Sequence, residues 1–138
     1  MASPFSGGCE CGAIRYECTA QGSEISMFKC HCRDCQRLGG GPYAAVVYVP
    51  KRTFRVVSGT IRHHTTQSEM GGLHQRGFCA DCGSRLTGGE TDESIGMTAS
   101  SLDDPSVFKP HFNMWTSDAQ PWDHLEAGKP AFEKYPPR

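Results

Sequence analysis

Three groups of cysteines dominate any chemical reading of this chain. Cys9 and Cys11 form a C-x-C pair in "GGCECG", and Cys30, Cys32 and Cys35 a C-x-C-x-x-C triple in "KCHCRDCQRLGG". Cys79 and Cys82 form a C-x-x-C pair in "FCADCGS", and only Cys18 stands alone. A thiolate is a nucleophile and a soft metal ligand, and in a reducing compartment clustered cysteines bind metal more readily than they form disulfides or a redox-active C-x-x-C. The two pairs offer the four corners of a tetrahedral Zn²⁺ site. A glycine follows each second cysteine, Gly12 and Gly83. A positive φ there lets the turn aim backbone N–H groups at the sulfurs, offsetting the net negative charge of four thiolates around one zinc. Such a closed site has no vacancy for substrate. Its expected task is to clip the N-terminal strand to a late hairpin across a long loop.

The triple is different. In an extended strand Cys30 and Cys32 share a face, and Cys35 returns to that face if Arg33-Asp34 make a turn. Three sulfurs then converge on a second metal and leave one position open. His31 should point the other way, as a packing group or a support behind the ligands. His63 and His64 face opposite sides of a strand, so at most one looks inward; His74 and His111 are further candidates for the fourth position. Cys18 shares a strand face with Ile14 and Tyr16 and reads as a buried structural thiol. Zinc already held by three thiolates is a blunted Lewis acid. It suits capture of a soft substrate thiol, held as thiolate near an electrophile, better than hydrolysis. Lys29, Arg33 and Arg37 surround the triple. They can offset its charge, and Arg33 and Arg37 are the candidate contacts for substrate carboxylates; each also reads as an ordinary solvated surface charge.

The elements that must position these groups are mainly strands. Alternation and β-branched or aromatic content predict strands at 13–18, 24–28, 43–49, 53–58, 61–66, 74–79, 84–88, 94–100 and 111–115. A hairpin is expected where Ser58-Gly59 separates 53–58 from 61–66. The one helical turn expected in the first half is Arg33–Leu38, ended by Gly39-Gly40-Gly41. At 138 residues, with 37% apolar composition, 16 Gly and 9 Pro, the chain suits one turn-rich β domain. A formal net charge of -1 calls for neither nucleic acid nor an anionic membrane. The longest apolar run, Ala44 to Val49, is too short to span a bilayer. The N-terminal segment lacks a basic start and an apolar core, so no signal peptide and a cytoplasmic location are expected. The proline-rich tail "KPAFEKYPPR" is expected to lie extended over the surface.

Four segments, "GGCECGAIRYEC", "CHCRDCQRLGG", "GFCADCGSRL" and "HFNMWTSDAQPW", together resemble the glutathione-dependent formaldehyde-activating (GFA) family, which includes centromere protein V. The resemblance runs from Phe5 to Trp122. It implies a GFA-type zinc-binding domain over 5–122, with a proline-rich tail over 123–138 packed on or near it. It implies a β-tent fold of packed antiparallel sheets, little helix and two Zn²⁺ per chain. Cys9, Cys11, Cys79 and Cys82 would hold a structural zinc, and Cys30, Cys32 and Cys35 a second, catalytic one. The implied activity joins glutathione to formaldehyde, formally a carbon–sulfur lyase run in reverse; a homodimer is a further implication. Two other readings compete: a non-catalytic zinc module that recognises a protein partner, and a thiol-based metal buffer or redox sensor.

Overall fold

The computed structural model describes residues 5–69 and 71–137. Among them, ten strands form two sheets, with one α-helix. The strands are β1 (Phe5–Gly8), β2 (Arg15–Cys18), β3 (Ser26–Cys30), β4 (Ala44–Pro50), β5 (Phe54–Ser58), β6 (Arg62–Gln67), β7 (Leu73–Phe78), β8 (Arg85–Gly88), β9 (Ser94–Thr98) and β10 (Phe112–Met114); the helix is α1 (Arg33–Gly39). The small sheet has the order β1-β2-β5 and the large one β10-β3-β4-β9-β8-β7-β6. The mainly β, two-sheet expectation holds.

Pairing departs from expectation in two places. Segments 53–58 and 61–66 do not form a hairpin with each other. β5 pairs antiparallel with β2 in the small sheet, and β6 pairs antiparallel with β7 in the large one. The Ser58-Gly59 turn therefore carries the chain between sheets. Gly59 has φ +79, and a Cβ there would stand 2.3 Å from the Ala13 carbonyl oxygen, so this corner requires glycine for both shape and space. The second departure is that β10 runs parallel to β3, so the large sheet is not purely antiparallel. β1, with its "FSGG" sequence, has no alternation to announce it. It forms by pairing with β2, Phe5 opposite Cys18.

Alternation along β4 sorts the interior into two parts. Val47 and Val49 point to the main core, where Ile14, Tyr16, Leu86, Ile95 and Met97 are buried. Ala44, Val46 and Tyr48 point to the opposite face, against Phe28, Phe112 and Met114 in a smaller cluster that includes Cys30 and Cys35. Cys18 is fully buried in the main core, its Sγ 3.5 Å from Thr53 Oγ1, as expected of a structural thiol. The tail lies along β10: Asn113 N–H donates to the Pro130 carbonyl at 2.9 Å, Phe132 N–H to the Asn113 carbonyl at 2.9 Å, and Trp115 N–H to the Lys134 carbonyl at 3.0 Å. These bonds carry Tyr135 and Pro136 to the face of the large sheet on which the smaller cluster sits.

Candidate metal centres and the site between them

Cys9 and Cys11 lie in the turn after β1, and Cys79 and Cys82 in the turn between β7 and β8, so this cluster spans the two sheets. The four Sγ atoms all lie within 4.8 Å of one another. Cys9 Sγ is 3.6 Å from Cys11 Sγ, which is 3.8 Å from Cys79 Sγ. Zn–S bonds of about 2.3 Å give a tetrahedron edge of about 3.8 Å, so these separations fit zinc. They are far from the ~2.05 Å of a disulfide. All eight cysteines are free.

The two turns share a hydrogen-bond pattern. Gly12 N–H donates to the Cys9 carbonyl and Gly83 N–H to the Cys79 carbonyl, and both glycines take the expected positive φ, 82° and 80°. Cys9 N–H donates to the Ile14 carbonyl and Cys79 N–H to the Ser84 carbonyl. The sulfurs then receive donors: Ile14 N–H reaches Cys9 Sγ at 3.2 Å, and Ser84 Oγ lies 3.2 Å from Cys82 Sγ. The Ser84 hydroxyl and backbone N–H bring the Cys82 thiol down to about 6. Neutral donors thus stabilise the negative sulfur charge.

The triple forms where β3 runs into α1. Cys30 ends the strand, Cys32 caps the helix with its Sγ accepting from Cys35 N–H at 3.4 Å, and Cys35 sits in the first turn. A helix of seven residues is marginal alone and is fastened at both ends. Gly40 closes it in the left-handed conformation at φ 75°, and the buried Gln36 amide donates to the carbonyls of His31 at 2.6 Å and Asp118 at 2.9 Å. The three Sγ atoms lie within 4.8 Å of one another, and no fourth ligand group joins them among the described residues. His31 points away from them as expected. Its Nδ1 is 2.6 Å from Asp123 and its Nε2 2.8 Å from Asn113 Oδ1, so it ties the triple to β10 and to the segment beyond.

Of the other candidates, His63 is on exposed β6 near Glu90, His64 is exposed on the same strand, and His111 lies beside Met27 and Lys109. His74 lines both cavities that flank the triple. Its Nε2 accepts the Gly89 N–H at 3.0 Å, which leaves the proton on Nδ1. Burial, then the Arg76 charge, lowers its pKa and keeps the ring neutral.

Two residues that the sequence reading did not single out complete the surroundings. Arg76 on β7 is 3% exposed, donates from Nη1 to Thr66 Oγ1 at 2.9 Å and brings Nη2 within 4.0 Å of Cys32 Sγ. Arg85 on β8 lies beside Cys35; burial lowers its pKa, and the charge on Cys35 opposes that. Nε of Arg76 and both Nε and Nη1 of Arg85 are buried without a hydrogen-bond partner among the described residues. Guanidinium groups held this way need negative charge nearby, and the cysteine triple is its source. The Cys35 thiol is correspondingly brought down to about 3, first by hydrogen bonds from Cys30 and Cys32 and then by the charges of Arg76 and Arg85. The buried Cys30 thiol is pushed far up by the same sulfur contacts.

Two cavities meet at the triple. A polar one of about 210 Å³ touches Cys30 and Cys32 and is bordered by Arg33, Arg76, Glu69 and Asp118. An apolar one of about 450 Å³ touches Cys35 and is bordered by Phe28, Val46, Tyr48 and Phe112. His74, Met114 and Tyr135 line both. Of the two surface arginines expected to contact substrate, Arg33 lines the polar cavity, while Arg37 is exposed further along α1 and lines neither. Lys29 pairs with Glu126 at 3.0 Å and lies over the Tyr43 ring.

The fold and its sulfurs define a class: a two-sheet β protein with two cysteine clusters fit to hold metal, one with four sulfurs and one with three. The family model for the glutathione-dependent formaldehyde-activating enzyme matches residues 4–118, and the chain belongs to that family. The crystal structure of a Rhodobacter sphaeroides protein has the same fold. It superposes with a TM-score of 0.58 at 21% identity, covering 93% of this chain and 99% of that one. No helix among the described residues is long and apolar enough to cross a membrane.

Proposed function

We propose that this protein is a zinc-dependent enzyme of carbon–sulfur bond chemistry, joining a glutathione-like thiol to a small aldehyde such as formaldehyde and reversing that addition. Cys9, Cys11, Cys79 and Cys82 would hold a structural zinc, and Cys30, Cys32 and Cys35 the second. Zinc at the triple supplies a position for a soft fourth ligand and lowers the pKa of a thiol bound there. The observation that carries the reading is the pair of buried arginines. Three thiolates around one zinc leave a net negative charge that would repel a fourth thiolate, and Arg76 and Arg85 more than balance it. The site thereby favours an anionic thiol.

Arg76 and Arg33 border the polar cavity and suit the carboxylates of a glutathione-like molecule; Arg37 is a rim charge in this reading. In the addition, a sulfur electron pair forms the C–S bond, the C=O π pair moves to oxygen, and that oxygen takes up a proton. His74 is the candidate hydrogen-bond donor to that oxygen, because Gly89 occupies its Nε2 and leaves Nδ1–H free to face it, while the proton taken up is the one the thiol releases.

Zinc content and turnover test the reading together. The native chain should carry two zinc ions and Cys32→Ser one. Formaldehyde loss with glutathione, followed by NMR, should exceed the uncatalysed rate only for the native protein. A Cys32→Ser variant that keeps both ions overturns the ligand assignment. A native protein with both ions and no rate above background, with formaldehyde or with a larger aldehyde such as benzaldehyde, overturns the thiol–aldehyde chemistry, in favour of a zinc module that recognises a protein partner.

A further inference from the structure

Formaldehyde has two heavy atoms, comparable to one or two waters at ~30 Å³ each, and a cavity built for it alone would be roughly tenfold smaller than the apolar one beside Cys35. At about 450 Å³ that cavity is in the range of sites that enclose an organic ligand. Its walls do not suit glutathione, which is charged at both ends. Phe28 stacks on Phe112 with ring centroids 5.1 Å apart and an interplanar angle of 15°, and Tyr48 tilts against Phe28 at 6.1 Å. Val46 and Met114 add to the apolar lining; Cys35, His74 and Arg85 border the cavity together with Ser26. The polar cavity on the other side of the cysteines has Arg33 and Arg76 with the carboxylates of Asp34, Glu69 and Asp118. Tyr135 and Pro136, in the tail beyond the family match at residue 118, add to the walls of this cavity.

We infer that the carbonyl substrate of this protein has an apolar body, such as a phenyl ring or short branched chain. That body fills the cavity of Phe28, Val46, Tyr48 and Phe112, while the thiol partner enters from the polar side. The inference rests on the proposed reading that thiol and carbonyl meet at the triple. The reaction is R–SH + R′–CHO → R–S–CH(OH)–R′: the C–S bond forms, the C=O π bond opens, and the thiol proton ends on the new hydroxyl. No oxidant or other co-reactant is needed. An aromatic R′ stacks on Phe28 and Phe112, and its carbonyl carbon lies toward Cys35 and His74.

Stable molecules mimic such an adduct and its two halves. Binding of S-methylglutathione, S-benzylglutathione and benzyl alcohol to the zinc-loaded full chain is measured by calorimetry, with ¹H–¹⁵N NMR to locate each. The expected result is at least tenfold tighter binding of the benzyl than of the methyl thioether. Benzyl alcohol alone should shift the amides of Phe28, Val46 and Phe112. Val46→Phe, which puts a ring into the cavity, should bring the benzyl-to-methyl ratio toward one, and Val46→Ala should keep it above five. Equal binding of the two thioethers to the native chain, with benzyl alcohol leaving those amides unmoved, overturns the inference and leaves the thiol reading standing. If benzyl alcohol shifts them but neither the thioethers nor glutathione itself binds, the thiol reading fails, and with it the adduct proposed here.

Discussion

The two cysteine clusters use the same ligand atom, yet the protein treats them in opposite ways. The four-sulfur cluster joins turns from different sheets and meets its negative charge with neutral donors, the Ile14 N–H and the Ser84 hydroxyl. The three-sulfur cluster is formed within one strand-to-helix stretch and meets its charge with two buried guanidinium groups. Neutral donors suffice where four protein sulfurs fill the coordination shell. Two cations, with unused N–H groups, exceed what three thiolates around a zinc require, and the surplus is available to an incoming anion. In the proposed reading, what lies around the sulfurs separates a fastening cluster from a receiving one.

The largest effect expected from breaking this comparison is in the fastening. Cys79→Ser should lose one zinc and lower the thermal midpoint by more than about 15 °C, or prevent folding, because the loop it closes spans both sheets. Cys35→Ser should also lose one zinc, while moving the midpoint by less than about 5 °C and abolishing turnover. Metal analysis with calorimetric melting checks both, and equal destabilisation would erase the distinction. A smaller effect follows from Arg85→Gln. Removing that charge raises the Cys35 pKa from about 3, so protons compete better for the sulfur. Zinc affinity of the triple at neutral pH should fall about tenfold, read by competition with a chromophoric chelator. The four-sulfur cluster, whose sulfurs take neutral donors from Ile14 and Ser84, should be affected far less.

The smallest effect lies near the fastening, at Asp103, which accepts from both Arg15 amines and from Ser6 across the small sheet. The hydrogen bond from Arg15, then that from Ser6, holds its carboxyl at about 2 rather than 3.8. A depressed carboxyl stabilises the fold above its unfolded value. This contribution is therefore complete above pH 3.8 and fades as pH falls toward 2. Because both partners are half exposed, Asp103→Asn should cost only about 0.5 kcal/mol near neutral pH, measured by urea unfolding.

Legibility followed the range of the interactions. The cysteine spacings, Gly12, Gly83 and the cap of α1 are local, and their geometry was readable from a few adjacent letters. Nine of the strands announced themselves by alternation; β1 did not, because "FSGG" is a strand only by virtue of its partner. The Ser58-Gly59 turn has hairpin residues but serves a crossover between sheets, a choice made by the partners of β5 and β6. Arg76 and Arg85 were not singled out by the sequence. Nothing in "HQRGFC" or "SRLTG" tells that both guanidinium groups turn inward toward sulfurs some forty to fifty positions earlier in the chain. His74 was a candidate ligand by type alone, and its bond to Gly89 gives it a different place.

Trp115 is the sole non-glycine residue with positive φ among those described, at φ 59° and ψ 37°. Its ring packs edge-on against Tyr135, lies under the Lys134 ammonium and borders the polar cavity. Holding a bulky side chain in that backbone region costs about 1–2 kcal/mol. Glycine at this position would relax the main chain while removing the indole from the cavity rim. Robustness and competence are thus set against each other at a single residue, and selection for heat tolerance alone would be expected to discard the tryptophan.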